Sequence, residues 1–311
     1  MSEISDGRKW LIATRPFSLP ASMMPVIFGS VAAWTMTGAP FRPFLFLGAL
    51  VSVALLHAGA NMLSDVFDFR SGLDVEPTPV SGAIVRHLLS SEAVLGASFL
   101  VLAAGCGLGL ILAMEVGPPI FWIGAAGVAM AVFYSFMKSR ALGDFAVFAA
   151  FGLLGALGAW TLQKGQGSLL PVLWSFPIAL HVIGILHANN WRDLKTDQTA
   201  RVRTIAGLLG DRGSERYYGF LLFAPYLLVT LFALPCGCGL RTPRLPFPVA
   251  LVWLSLPMAL KNWKKGKHRA APRNPHDFIA LDGATAQLNL AFGLLYILGL
   301  VVGRWTGLAG S

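Results

Sequence analysis

The sequence predicts an all-α, polytopic membrane protein, a bundle of nine transmembrane helices. Three observations carry that expectation. Hydrophobic residues make up 55% of the 311-residue chain and charged residues only 13%, far below the quarter of charged residues in an ordinary soluble domain. Apolar runs of about 20 residues, each enough to cross a hydrocarbon core near 30 Å thick, recur along the whole length. The basic residues gather in the connections between those runs, and 19 of the 24 Lys and Arg fall on one side, as the positive-inside rule requires.

Taken in order, the expected spans are 18–37, 43–64, 93–114, 119–137, 144–163, 171–190, 217–236, 246–262 and 285–303, all within one domain covering 1–311. Residues 1–15 are polar and basic and the runs behind them are long enough to span, so the opening reads as a retained interfacial segment with Trp10 at headgroup depth. With the N-terminus inside, the charge bias puts the long early loops on the cytoplasmic face, and a cell inner membrane is the expected location. The net charge of +9 is explained by topology, so nucleic acid is not an expected partner. Cys106, Cys236 and Cys238 make neither a zinc spacing nor a disulfide framework. The final span carries Gln287 and Asn289, which are expected to face the bundle interior or the cytoplasmic mouth.

Acid is scarce, and it is concentrated. Of 15 Asp and Glu, five lie in two blocks: Asn61-x3-Asp65-x2-Asp68 with Asp74 beyond it, and Asn189-x3-Asp193-x3-Asp197. Residues three or four apart share a helix face, so each block presents an oxygen-rich stripe. Both stripes stand at the expected C-terminal end of a span, where the helix dipole is already negative and carboxylates call for a cation. Oxygen ligands without His or Cys partners suit Mg²⁺, which usually joins one or two carboxylates to substrate phosphates. A lone Asp at such a place is commonly a cap or a solvated loop residue; two Asn-led blocks on two helices favour a site.

Other residues gather on the same side. Arg15 is either a topology determinant or a contact for an anionic group. Lys138 and Arg140, after the fourth span, are either diphosphate contacts or positive-inside anchors. Arg201 and Arg203 follow the second block, and the basic run 263–269 attracts anionic lipid heads. His57, one turn before Asn61 on its face, reads as a packing residue. The turn-rich loop 75–82 reads as a lid.

These motifs resemble the UbiA superfamily of intramembrane aromatic prenyltransferases. The resemblance runs through Arg15-Pro16, both Asp blocks, Tyr134-Ser135, Lys138-x-Arg140-x-Leu142-Gly143-Asp144, Arg203-Thr204 and Thr285-Ala286-Gln287-Leu288. Gly72-x-Asp74, Asn190-x-Arg192-Asp193 and Arg203-Thr204 are similar to the branch that prenylates 1,4-dihydroxy-2-naphthoate in menaquinone synthesis. The resemblance implies nine helices around a central cavity open to lipid. It also implies Mg²⁺ held on a polyprenyl diphosphate by Asp65, Asp68, Asp193 and Asp197, with Asp74 a further ligand or a partner to the ligands. Asn61 and Asn189 would orient the metal or the diphosphate, Lys138, Arg140 and Arg203 would contact diphosphate, and Arg15 would meet the acceptor carboxylate. The expected product is demethylmenaquinol, formed with loss of CO₂ and diphosphate. Alternatives are the same chemistry on 4-hydroxybenzoate, homogentisate or a chlorin, and, from other classes, a membrane transporter or a non-catalytic lipid-binding protein.

Overall fold

In the computed structural model, residues 5–72, 82–194, 197, 202–234, 244–267 and 281–308 are described. Among them every regular element is helical, apart from an isolated parallel bridge between Arg140 and Arg203. An N-terminal helix α1 (Asp6–Thr14) is followed by α2 (Leu19–Thr37), α3 (Pro43–Arg70), α4 (Ser91–Val116) and α5 (Pro118–Lys138). Next come α6 (Gly143–Val147), a π-helical stretch (Phe148–Leu154) and α7 (Gly155–Lys164), which together form one crossing. Then follow α8 (Leu170–Arg192), α9 (Ile205–Ala233), a 3₁₀ stretch (Phe247–Ser255) leading into α10 (Leu256–Lys267), and α11 (Leu281–Trp305).

Seven helical segments among the described residues are long and apolar enough to cross a bilayer. The expected span 119–137 is helix α5, 21 residues long from Pro118 to Lys138. The expected span 246–262 is split between the 3₁₀ stretch and a helix whose last turn carries Lys264, Lys265 and Lys267. Among the described residues the protein is an all-helical integral membrane protein in which α5 and this split segment stand beside the seven crossings.

The bundle is held by close backbone approach. A Cβ placed on Gly29 of α2 would come within 2.3 Å of the Ala156 carbonyl oxygen on α7, so glycine is what lets those helices touch; small residues at helix contacts are the usual packing device in lipid. Position 152, in the π-helical stretch, is likewise tight against Ala179 of α8. At the other side of the core, Phe28 lies 4.8 Å from Tyr296 and Phe292 meets Tyr226 edge-on at 5.2 Å. Tyr296 closes the layer by donating its hydroxyl to the Trp174 carbonyl at 3.1 Å. Burial separates centre from rim: 67% of the most apolar window of α8 is buried against 17% for α4.

Two features of this frame position the site. Helix α3 has 28 residues, about 42 Å of rise, so its last turns, which bear Asn61 to Arg70, outrun a 30 Å hydrocarbon layer. Between α1 and α2, Arg15 adopts a left-handed backbone (φ 50°). That turn reverses the chain sharply and brings α1 across the end of α3, where Ala13 packs into a small core with Met62, Val66 and Ile84.

Candidate active site

Helices α2, α3, α4, α5, α7 and α8 line a cavity of about 1250 Å³. Its walls are mostly apolar, and along α3 they run from Asp68 down to Ala49, a helix rise of about 28 Å. The π-helical stretch adds Ala150, Phe151 and Leu154 to the wall; a widened turn of this kind reshapes a helix face and is frequent at functional sites. The polar mouth is formed by Arg15, Asn61, Asp68, Lys138, Asn189, Arg192, Asp193, Asp197 and Asp282.

At the end of α3 the first block divides. Asp68 faces the cavity, with Lys138 Nζ 3.8 Å from its Oδ2 and the Ser64 hydroxyl donating to it at 3.4 Å. Asp65, one turn earlier, is fully buried behind the wall. Its Oδ1 receives Arg15 Nη2 at 3.4 Å and its Oδ2 the Ile84 backbone N–H at 3.4 Å, while Gly82 packs so close that any Cβ there would overlap the carboxylate. Arg15 itself lines the cavity, and its buried Nε has no protein partner. Asn61 donates to the Thr14 carbonyl at 3.2 Å and to the Ser18 hydroxyl at 3.0 Å, so it ties α3 to the turn that carries Arg15.

At the end of α8 the second block is organised by Arg192. This buried guanidinium donates to both oxygens of Asp193 at 2.8 and 3.0 Å, to Asp282 of α11 at 2.7 Å and to Asn189 Oδ1 at 2.6 Å. Beyond Arg192, the Asp197 N–H donates to the Asp193 carbonyl at 2.8 Å. Asp197 Oδ2 is buried with no hydrogen-bond partner. Burial pushes the Asp197 carboxyl up to about 6; the Lys138 ammonium opposes this, and the Asp193 and Asp68 carboxylates add to it. An orphaned, desolvated carboxylate oxygen beside two more carboxylates is a place for a cation.

The donor chemistry fits Mg²⁺. Among the described residues no group of three His, Cys, Asp or Glu converges to hold a metal unaided, whereas Mg²⁺ keeps waters and takes one or two carboxylates plus phosphate oxygens. Asp68, Asp193 and Asp197, from the two blocks, can supply them, as can Asp282 beside them.

The structure thus brings Arg15, Asn61, Asp68, Lys138, Asn189, Asp193 and Asp197 to one mouth. It sets Asp65 behind the wall, and it leaves Arg140 and Arg203 outside. Both arginines are exposed; Arg140 stacks on Phe136 at 3.6 Å, and their backbones pair through Ala141 N–H to the Arg203 carbonyl at 2.6 Å and Arg203 N–H to the Ser139 carbonyl at 3.1 Å. Asp74 and most of the expected lid lie outside the described residues. Of the polar pair on α11, Asn289 is fully buried as expected, but Gln287 is exposed, because a 3.6-residue period sends it to the opposite face from Thr285 and Ala286.

Three residues take part in ways the sequence does not assign them. Arg192 sits inside the second block but reads there as one more cytoplasmic cation. Asp282, an acid just ahead of the last span, is the available clue to its partner. His57 lines the cavity beside Ser18 and Ser22, which spacing alone does not reveal.

Known proteins agree with this geometry. The model of the UbiA prenyltransferase family matches residues 22–281. UbiA prenyltransferase domain-containing protein 1 of Mus musculus is 31% identical over 299 residues, covering 94% of this chain and 84% of its own, and the Drosophila melanogaster homolog is 31% identical over 298 residues, covering 93% and 78%. Among solved structures, a UbiA homolog from Aeropyrum pernix K1 superposes with TM-score 0.65 at 17% identity, covering 96% of this chain and 99% of that one. A UbiA homolog from Archaeoglobus fulgidus, bound to DMAPP and Mg²⁺, gives 0.61 at 14% identity, with 93% and 99% covered. The names of these relatives do not single out the naphthoate branch. A family match spanning most of the chain, joined to a polar mouth with paired Asp blocks above an apolar cavity, makes this membrane protein a member of the UbiA prenyltransferase family.

Proposed function

We propose that this prenyltransferase transfers a polyprenyl group from polyprenyl diphosphate to 1,4-dihydroxy-2-naphthoate, with loss of CO₂ and diphosphate, giving demethylmenaquinol. The observation that carries the reading is a cavity whose mouth holds acids of both blocks with Lys138 and Arg15 and whose remaining walls are mostly apolar. A diphosphate needs the first and an isoprenoid tail the second. The ligands named for the Archaeoglobus fulgidus homolog, DMAPP and Mg²⁺, have the same two-part character.

Asp68, Asp193 and Asp197 hold Mg²⁺ in this reading, with Asn189 orienting the group and Asn61 fixing the turn beneath it. When bound, Mg²⁺ neutralises charge developing on the departing diphosphate. Lys138 adds its ammonium to the same charge. Asp65 serves the mouth through Arg15, whose guanidinium lines the cavity and meets the carboxylate of the acceptor. The apolar walls exclude water from the allylic carbon, which would otherwise be hydrolysed. The positive-inside bias supports a mouth on the cytoplasmic face of the membrane. The same walls and acids suit another electron-rich ring such as 4-hydroxybenzoate, homogentisate or a chlorin, and that is the second reading. Transport is disfavoured because the acids stand at helix ends, not at mid-span.

The test is turnover of the purified protein in lipid with a polyprenyl diphosphate and 1,4-dihydroxy-2-naphthoate. The expected product has the mass of the prenyl adduct less CO₂, appears with Mg²⁺ and is lost in EDTA. An adduct with another aromatic alone would move the acceptor; no adduct with any ring, from folded protein, would sink the reading.

A further inference from the structure

We propose that Asp282 is a positioning residue for the donor diphosphate: from the first turn of α11 it pins Arg192, and Arg192 in turn fixes how Asp193 and Asn189 face the cavity. The inference rests on the prenyl-diphosphate reading and goes beyond it, because Asp282 belongs to neither acid block.

The Arg192 side chain is 8% exposed, and its donors lie in one rigid plane. Nε donates to Asp193 Oδ1 at 2.8 Å, and Nη2 donates to Asp193 Oδ2 at 3.0 Å and to Asn189 Oδ1 at 2.6 Å. Those three contacts stay within three residues of Arg192 along the chain, so they move with the end of α8. The fourth, Nη1 to Asp282 Oδ2 at 2.7 Å, reaches a different helix across 90 residues. Asp282 is itself held. It stands in the first turn of α11, where the helix dipole favours a carboxylate, and its Oδ1 accepts the Gly283 N–H at 2.8 Å. Two further helices tie down that end of α11: Asn262 of α10 donates to the Ala284 carbonyl at 3.0 Å, and the hydroxyls of Thr285 and Tyr218 of α9 meet at 2.7 Å. Arg192 is thus anchored to a fixed point outside α8.

The anchor decides what the second block offers to a ligand. A carboxylate has about four lone-pair positions. Arg192 takes one on each oxygen of Asp193, whose side chain remains 41% exposed at the mouth, so the other lone pairs are held in a set plane for a cation. Asn189 is fixed in the opposite sense. Its oxygen accepts from the guanidinium, which leaves its amide N–H groups to meet phosphate oxygens. The charge of Asp282 would suit a metal ligand, but its surroundings do not: its side chain is 11% exposed and both oxygens accept protein donors. It supports the site through Arg192. Partners one contact removed from the ligands commonly set metal affinity by about 10–100-fold.

Asp282→Asn is the informative substitution, because it keeps the shape and removes the charge. Whichever way its amide turns, an N–H group faces either Arg192 Nη1 or the Gly283 N–H, donor against donor. The anchor is lost while the packing of the first turn is kept.

The experiment is a double-mutant cycle on wild type, D282N, R192Q and D282N/R192Q. It reads affinity for inorganic diphosphate in saturating Mg²⁺ by titration calorimetry, and KM for polyprenyl diphosphate and for the aromatic acceptor. D282N should bind diphosphate with Mg²⁺ about 10–100-fold more weakly and raise KM for the donor, while KM for the acceptor stays put. In the R192Q background the same substitution should cost less than about 2-fold, because the contact it breaks is already gone. An equal loss in both backgrounds makes Asp282 a direct ligand of the cation and overturns the proposal. Wild-type affinity in D282N overturns it as well, and so does a KM for the acceptor that rises in step with that for the donor. Should D282N not fold, D282E carries the same cycle, since it keeps the charge but displaces the oxygen that holds Nη1. Wild type that binds no diphosphate with Mg²⁺ overturns the underlying reading and this one together, and that result is seen without any variant.

Discussion

Two acid blocks with the same Asn-x3-Asp opening meet different surroundings. At the end of α3, Asp65 is fully buried with Arg15 as its counter-charge, and Asp68 alone faces the cavity. At the end of α8, the matching Asp193 is 41% exposed and bound on both oxygens by Arg192. The difference comes from what crosses each helix end. Helix α1 and residues 82–85 close over α3, whereas α8 is met by Asp282 of α11, which shares its arginine. Equal spacing puts residues on equal faces; the neighbouring elements decide which face is the wall.

The largest effect expected from this contrast is in turnover. Asp68→Asn and Asp193→Asn should each lose on the order of 10²–10³-fold, the range for one preorganised electrostatic contact, with folding intact. Asp65→Asn should lose turnover too, but also stability. It strips the charge from a buried, hydrogen-bonded pair and leaves Arg15 without its partner, a cost of about 1–3 kcal/mol. Thermal unfolding in the same detergent checks the distinction. Equal melting temperatures for all three variants would remove Asp65 from the wall-supporting role and return it to the mouth with the others.

A smaller effect separates Asp197 from both. Its carboxyl is pushed up to about 6, chiefly by burial, so the folded chain binds that proton more tightly than the unfolded chain does. The stabilisation by the protonated form is fully present below about 4 and is lost as pH rises through about 6. In EDTA, wild type should therefore lose stability relative to Asp197→Asn across that window and match it at lower pH. Adding Mg²⁺ at pH 7 should raise the melting temperature of wild type and not of Asp197→Asn. A wild-type curve parallel to that of the variant throughout would mean that the orphaned oxygen finds a partner in solution.

Much of this was legible in the chain. Length and hydropathy give the helices, because a bilayer imposes one length scale on every crossing, and the acids of both blocks stand out because charge is otherwise rare. What pattern could not supply depends on contacts between distant segments. Arg192 meets Asp282 across 90 residues and His57 meets Ser22 across 35. Gln287 and Asn289 share one polar pattern but stand on opposite faces of α11. The split of 246–262 into a 3₁₀ stretch and a basic helix is hidden for another reason: an apolar run states that a segment is buried or in lipid, not which helix it forms.

The smallest effect concerns two residues the motif resemblance draws toward the diphosphate. Arg140 and Arg203 are exposed and do not line the cavity, and their backbones pair 139–141 with 203. Truncation leaves those backbone hydrogen bonds in place and removes only the stacking of Arg140 on Phe136 and charge at the rim, where solvent screens it. Lys138 differs, being in the cavity wall and 3.8 Å from Asp68. Lys138→Met should raise the KM for polyprenyl diphosphate by about 10-fold or more, since a desolvated charge contact is worth roughly 1.5–3 kcal/mol. Arg140→Ala and Arg203→Ala should each stay within about 3-fold, with a stronger response to low salt than to saturating donor. A loss in Arg203→Ala equal to that of Lys138→Met would show that 203 swings into the mouth when the diphosphate arrives, and the acid blocks would then share a third, mobile wall.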